Sequence, residues 1–475
     1  MITHLQETLR HRLKEIHDFL HNKEKEVLGD LRSFLWQGLE TDEALLIQLM
    51  NTAPPTNGPY PTPSTPGNIE LGWTLYFLNV LLPEMGEWER RLYGLLKDLL
   101  ELPGTKITKE DWTKWEQIWK TTGILLGDGS LVSSQRYAVM DLRWSLFVIE
   151  YLKYQIFRKS KAHFQPYPNT ITIDPNNQQQ LTIAVMGDWG TGNYQDGPSP
   201  SSPSKQVMAA IKNLTPDMVI HLGDVYYAGT ENGILPGDNE EQINLVDAWD
   251  YNAPLGNFTL NSNHEMYGGG NGYFKVALTS PLFKPYHTRP HGTHPTSYFS
   301  IEFGEYVILG LDSAYNATNW YMHGRITDSH QPGFMNKYKN SGKKILLFTH
   351  HNPIDTLGDN INKLWTDVTS RDALGGAPHM WYWGHLHNGM VYNNNAASGS
   401  ETLARCLGNA AIPIGVGHWL NNKNIDFFTK TPLNDGTVNN SLRVKNGFAL
   451  LTISQNGIIE TWYDQSGDQC WTNQA

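Results

Sequence analysis

Apolar positions along this chain follow two different rhythms. From the start to about residue 160 they recur every three or four residues, the spacing of a helix that buries one face. Leu5, Leu9, Leu13, Ile16 and Leu20 form one such stripe, with charged residues between them. The segment 51–67 interrupts the pattern with six prolines and no charge, so it reads as a loop between helices. Helical spacing resumes over 71–102. Thr108-Lys109-Glu110-Asp111 then has the form of a capping box ahead of a helix carrying Trp112, Trp115 and Trp119. A last helix is predicted from Ser133 to Arg158. Residues 1–160 therefore read as an all-helical N-terminal region, followed by a linker at 161–180.

Beyond about 180 the texture becomes short β-type runs broken by glycine. Leu181–Met186, Asp217–Leu222, Lys344–Phe348 and Met380–Trp383 are predicted strands, and two hairpins are predicted, over 297–312 with its turn at Gly304 and over 447–464 with its turn at 455–457. Strands interleaved with helices predict a layered α/β domain over 181–475.

Composition narrows the class. At 475 residues the chain is long enough for two or three domains, and 39% hydrophobic content supports sizeable cores. A formal charge of −11 argues against binding long nucleic acids, while leaving small phosphate substrates open. Two cysteines, Cys406 and Cys470, exclude a disulfide-built scaffold. The start, Met1 to Glu7, opens a charged amphipathic helix with no secretory signal. The apolar stretch 71–82 is shorter than the ~20 residues a membrane helix needs, and 138–157 is interrupted by Asp141, Arg143, Glu150 and Lys153. A soluble, cytoplasmic protein without a transmembrane segment is the expectation. Seven of the 16 tryptophans lie in residues 1–160 with no chemical constellation beside them. They read as packing core, with a docking face for a protein partner, a lipid surface or a second copy as the alternative.

Chemistry gathers in five short segments: Gly187-Asp188-Trp189-Gly190, Gly223-Asp224-Val225-Tyr226-Tyr227, Asn263-His264-Glu265, Leu347-Phe348-Thr349-His350 and Gly384-His385-Leu386-His387. Four follow directly on predicted strands, and open α/β sheets carry their chemistry at strand carboxyl ends. Carboxylates suit hard cations and one can bridge two of them, whereas imidazoles take borderline divalent metals. His385 and His387, two apart in an extended loop, face the same side. Any one of these segments alone has an ordinary structural explanation as a turn or a satisfied histidine. The ordered combination is what points to a paired-metal site.

The five segments resemble the calcineurin-like metallophosphoesterase superfamily, and more closely its purple acid phosphatase branch, across roughly 181–465. Gly190 stands where the wider superfamily has a metal-binding histidine, and Ser262 and Leu347 stand for a usual Gly and Val. The resemblance implies a layered β-sandwich flanked by helices and two metal ions, Fe(III) with a divalent Fe, Zn or Mn. It implies Asp188, Asp224, Tyr227 and His387 around the first ion, and Asp224, Asn263, His350 and His385 around the second, with Asp224 bridging. His264 would protonate the leaving group, and Asn263, His264 and His351 would contact substrate. The reaction implied is hydrolysis of a small phosphoester by a metal-held hydroxide. A phosphomonoester is the first expectation, a phosphodiester of a nucleotide or lipid head group the second, and a non-catalytic partner-binding scaffold the third. Candidate rim elements are 192–204, Gly268–Gly270, 286–298 with Arg289, and 313–333 with His323 and Arg325.

Overall fold

Strands whose alternate side chains are all apolar must bury both faces, and this requirement explains the layers of the chain. A computed structural model describes residues 124–125, 128–132, 136–138, 154, 161–194, 201–232, 239–317, 323–399, 401–434 and 443–475. In chain order the strands are β1 (Ile124–Leu125), β2 (Leu131–Val132), β3 (Asn169–Ile173), β4 (Gln180–Met186), β5 (Met218–His221), β6 (Gly256–Thr259), β7 (Phe299–Phe303) and β8 (Tyr306–Gly310). They continue as β9 (Lys344–Thr349), β10 (Met380–Trp383), β11 (Gly389–Tyr392), β12 (Leu403–Leu407), β13 (Ile425–Phe428), β14 (Gly447–Ser454), β15 (Gly457–Asp464) and β16 (Gln469–Gln474). The α-helices are α1 (Pro203–Leu214), α2 (Asn263–Tyr267), α3 (Lys284–His287), α4 (Gln331–Asn336) and α5 (Lys363–Thr369).

The strands form an eight-stranded sheet, β13-β11-β12-β10-β9-β8-β7-β3, and a six-stranded sheet, β16-β15-β14-β4-β5-β6. Leu181, Ile183 and Val185 of β4 join Leu346 and Phe348 of β9 and Met380 and Tyr382 of β10 in one core between the sheets. The intervening residues point outward: Ala184 and Met186 meet α1, while Leu347, Trp381 and Trp383 meet α4 and α5. Period-two alternation of apolar residues thus fills three apolar layers. Each fully buried aliphatic side chain contributes about 1.5–3 kcal/mol. Both sheets mix parallel and antiparallel pairs.

Strands β4, β5 and β6 run parallel, as do β8, β9 and β10. Their carboxyl ends open on one rim, which brings together loops spread across 200 positions of sequence.

Two expectations change. The segment read as a linker supplies β3, which pairs in parallel with β7 through Asn169↔Phe299 to Ile173↔Phe303. It is the edge strand beside β7 in the larger sheet, anchored by Ile171 and Ile173 packing on the inter-sheet core. Within 1–160, most of the predicted helices lie outside the described residues. Where the chain is described, β1 and β2 pair as an antiparallel ribbon, and within the helix expected over 133–158 residues 136–138 form a turn while residue 154 is helical. Among the described residues no helix is long and apolar enough to cross a membrane.

Candidate metal centre

Three of the five segments reach the rim by a sharp turn, while Asn263 opens α2 and His350 follows directly on β9. Gly223 has φ +100, and a side chain at Gly384 would put its Cβ 2.4 Å from an Asp188 carboxylate oxygen. Both positions demand glycine. The residues that follow are less comfortable. Asp188, Asp224, His385 and His387 all have left-handed backbone, with φ 59, 76, 68 and 50. Such conformations cost about 1–3 kcal/mol each and persist where the surroundings impose them, typically at functional sites. Asp188 and Asp224 are laced together by the backbone, with Asp188 N–H donating to Gly223 O and Gly190 N–H to Asp224 O, each at 3.0 Å.

The carboxylates and imidazoles converge. Ligand atoms of Asp188, Asp224 and His350 all lie within 4.8 Å of one another, and so do those of His350, His351 and His385. Asp224 faces two imidazoles: Oδ1 is 3.1 Å from His350 Nε2, and Oδ2 is 3.8 Å from His387 Nε2. Asn263 Oδ1 lies 2.8 Å from His350 Nε2 and 3.1 Å from His385 Nδ1. His387 Nε2 is 3.4 Å from Asp188 Oδ1. Asp188 also accepts the backbone N–H of His385, at 2.9 Å to Oδ2.

The protons along this network reveal its chemistry. His350 Nδ1 lies 2.9 Å from Leu222 O, so that nitrogen donates and Nε2 carries the lone pair. Burial pushes His350 down to about 4, which keeps the ring neutral. Its lone pair therefore faces two oxygen acceptors, on Asn263 and Asp224, with no hydrogen to share. Asp224 Oδ1 and His351 Nε2 are buried without a hydrogen-bond partner. Ligands held ~2.1 Å from a cation at right angles lie roughly 3.0 Å apart, close to the separations seen here. The donor set fits divalent or trivalent metal ions.

The two aspartates are electrostatically coupled. Burial, then repulsion from Asp224, holds Asp188 well above the usual carboxylate range. Burial acts on Asp224 in the same direction but is opposed by the surrounding imidazoles and hydrogen-bond donors, among them the Tyr226 hydroxyl, so Asp224 is the more acidic of the two. Burial likewise lowers His351 and His385, each ring further disfavoured as a cation by neighbouring imidazoles. Neutral histidines and a carboxylate are the protonation states metal binding needs.

One assignment is corrected. The phenol that enters the cluster belongs to Tyr226, whose hydroxyl lies 2.9 Å from Asp224 Oδ2, 3.2 Å from Asp188 Oδ1 and 3.1 Å from His387 Nε2. Tyr227 instead stacks its ring on Tyr137, with centroids 4.9 Å apart. Its backbone N–H is held by Glu240 and its carbonyl faces His264 Nδ1 at 2.7 Å. Adjacent residues at a strand end point in different directions, and the turn at 224–227 selects Tyr226.

The remaining expected residues fall as follows. His264 is buried, with Nε2 3.9 Å from Asp224 Oδ2. Ser262 caps α2 by accepting the N–H of His264. His351 is oriented by Ser313, whose Oγ lies 2.9 Å from Nδ1. Arg325 is neutralised by a two-pronged bond to Asp367, and Arg289 lies over the Tyr167 ring. Residues 195–200 of the first rim loop lie outside the described residues. Sequence reading missed Tyr226, and Ser313 sits in no motif at all.

Residues 181–389 match the calcineurin-like phosphoesterase family, and this part of the chain carries that domain. No curated protein matches the chain. Among solved structures, GAP50 of Plasmodium, described as the anchor in the inner membrane complex, is similar at 14% identity and a TM-score of 0.42, over 62% of this chain and 89% of that one. A Streptococcus pneumoniae protein described as a predicted phosphoesterase is similar at 12% identity and 0.26, over 62% and 97% of the two chains. A Vps29 single mutant from Entamoeba histolytica is similar at 10% identity and 0.24, over 62% and 99%.

Proposed function

We propose that this protein is a binuclear-metal-dependent phosphoester hydrolase acting on phosphomonoesters, with a site of the purple acid phosphatase kind. The observation that carries the reading is the position of Asp224. One of its oxygens faces His350, which itself lies 2.8 Å from Asn263, while the other faces Tyr226 and His387, so a single carboxylate lies between the two proposed ligand sets. The proposed sets are Asp188, Asp224, Tyr226 and His387 for one ion, and Asp224, Asn263, His350 and His385 for the other. A phenol among the donors favours Fe(III) in the first position, with a divalent Fe, Zn or Mn in the second. Two such ions supply positive charge for phosphoryl oxygens and acidify water at neutral pH.

The chain's own groups have separable tasks. Asp224 and Asp188, dry and held in left-handed backbone, are preorganised, so little reorganisation accompanies the reaction. His264 keeps Nδ1 on the Tyr227 carbonyl, which leaves Nε2 as the nitrogen that, in the imidazolium form, would give its proton to a departing oxygen and return to the neutral ring. His387 is 23% exposed while both aspartates are fully buried, so substrate approaches across the 385–387 loop. His351, with Nε2 unpaired and buried, completes the polar wall on the His350 side.

The test measures metal content and turnover together. Full-length protein is expected to hold two metal ions, to lose activity with a chelator and to regain it on reloading. Asp224→Ala is expected to lose metal, and His264→Ala to retain metal while losing roughly 10²–10⁴-fold in rate. If both variants hydrolysed every phosphoester at the wild-type rate, the proposal would be wrong. Faster cleavage of a model bis-ester than of the monoester would move the substrate class to phosphodiesters.

A further inference from the structure

Three rings enclose the Tyr226 phenol. His264 lies 4.6 Å away between centroids, His387 6.0 Å and Tyr137 5.8 Å. The first two belong to the rim motifs. Tyr137 does not: it comes from the region preceding the sheets, outside the matched family domain at 181–389.

Tyr137 is tied into the loops that carry the aspartates. Its hydroxyl donates to Thr191 O at 3.0 Å, three residues beyond Asp188. Its ring stacks on Tyr227, 4.9 Å between centroids and 23° between planes, three residues beyond Asp224. Those two loops are already joined by Gly190 N–H to Asp224 O and Tyr226 N–H to Gly190 O. One side chain therefore grips the far end of both. Tyr137 is 3% exposed, and Arg136 donates to its hydroxyl at 3.2 Å. Its φ of 65 is one that a bulky residue adopts only where its surroundings impose it.

A second tie comes from the same region. Asp128 O accepts Asn388 Nδ2 at 2.9 Å, next to His387, and Gly129 O accepts the N–H of Gly415 at 2.7 Å. The upstream region thus touches the Asp188, Asp224 and His387 loops, the three that contribute to one ligand set.

We propose that Tyr137 is a positioning residue for the Asp188–Asp224–Tyr226–His387 half of the centre, so that residues upstream of the family domain set how tightly that half holds its metal. This inference rests on the metal-centre reading above. If Tyr137 stabilises the metal-bound arrangement, metal binding must stabilise Tyr137's placement to the same extent, because coupling free energies are reciprocal.

The experiment uses the full chain and zinc alone as probe, loaded to two ions per chain so that both ligand sets are filled. Wild-type protein is stripped with a chelator, reloaded with zinc, and compared by hydrogen exchange in both states. Peptides containing Tyr137 are expected to exchange about tenfold more slowly when loaded, with a smaller change in peptides covering β16. In parallel, Tyr137→Leu is expected to surrender zinc to a competing chelator about tenfold faster than wild type, while Tyr137→Phe, which keeps the ring stack, stays within about threefold. If wild-type protein holds neither zinc nor iron, the metal-centre reading itself falls. If it holds zinc, but Tyr137 peptides exchange no differently from β16 and the Leu variant releases metal at the wild-type rate, this inference alone is overturned. Should the Leu variant fail to fold, the exchange experiment on unaltered protein decides.

Discussion

Replacing Tyr226 with phenylalanine removes one oxygen and leaves the ring against His264, so it isolates what the hydroxyl contributes. That hydroxyl lies 2.9 Å from Asp224 Oδ2, 3.1 Å from His387 Nε2 and 3.2 Å from Asp188 Oδ1, inside the cluster. A hydrogen bond to a charged group is worth about 1.5–3 kcal/mol. Losing about 2 kcal/mol from the metal-bound state corresponds to roughly thirtyfold weaker binding, and loss of a direct ligand would exceed that. Tyr227→Phe removes a hydroxyl whose ring stacks on Tyr137 beside Arg136, and its effect is expected to stay within about threefold. The assay is titration of chelator-stripped protein with metal against a competing indicator, with circular dichroism confirming that both variants fold. On iron-loaded protein the visible phenolate-to-iron band should disappear with Tyr226→Phe and survive Tyr227→Phe. Weaker binding in Tyr227→Phe than in Tyr226→Phe would refute the geometry at 224–227, as would a Tyr226→Phe variant identical to wild type.

Two further outcomes test the scaffold. Burial lowers His287 from 6.5 to about 4, and the neutral ring is specified on both sides: Nδ1 faces Thr296 O at 2.7 Å and Nε2 accepts the N–H of Thr259 at 3.2 Å. Because the folded value lies below the unfolded one, stability is full above pH 6.5 and is lost as pH falls toward 4, by about 3 kcal/mol at about 1.36 kcal/mol per pH unit. Urea midpoints at pH 7.5 and 4.5 should differ less in His287→Gln than in wild type, and an equal difference would rule this out. Arg405 and Glu460 form a buried ion pair bridging the two sheets, with Nε–Oε1 2.9 Å and Nη2–Oε2 2.8 Å. Arg405→Met leaves Glu460 charged and dry, which is expected to destabilise by about 3–5 kcal/mol, whereas the double variant with Glu460→Leu should recover much of that loss in urea denaturation.

Several elements were legible because local chemistry decides them. Strand β4 alternates side chains between two apolar layers, and the hairpins at Gly304 and at 455–457 carry their own turn residues. The ordered aspartates, Asn263 and histidines were readable as candidates because a metal site needs particular ligand atoms wherever the chain places them. Strand β12 was not legible: Arg405 sits in its middle, and only a glutamate 55 residues away makes a buried guanidinium tolerable. The short β3 was missed for a related reason, since it is completed by β7, a partner distant in sequence, whereas the edge strand β16 pairs with its neighbour β15 and is too polar to show an apolar alternation.

The residues capable of binding metal, the strand ends they follow and the likeness to a phosphoesterase domain were determined by the sequence alone, because side-chain chemistry and strand periodicity are local properties. Which of two neighbouring tyrosines enters the cluster was decided only by tertiary structure. So were the placement of Tyr137 beside it and the left-handed backbone at four rim residues. The reason is physical. A strand-end turn can aim its side chains in several directions at similar local cost, and packing from the opposite sheet and from upstream residues selects one.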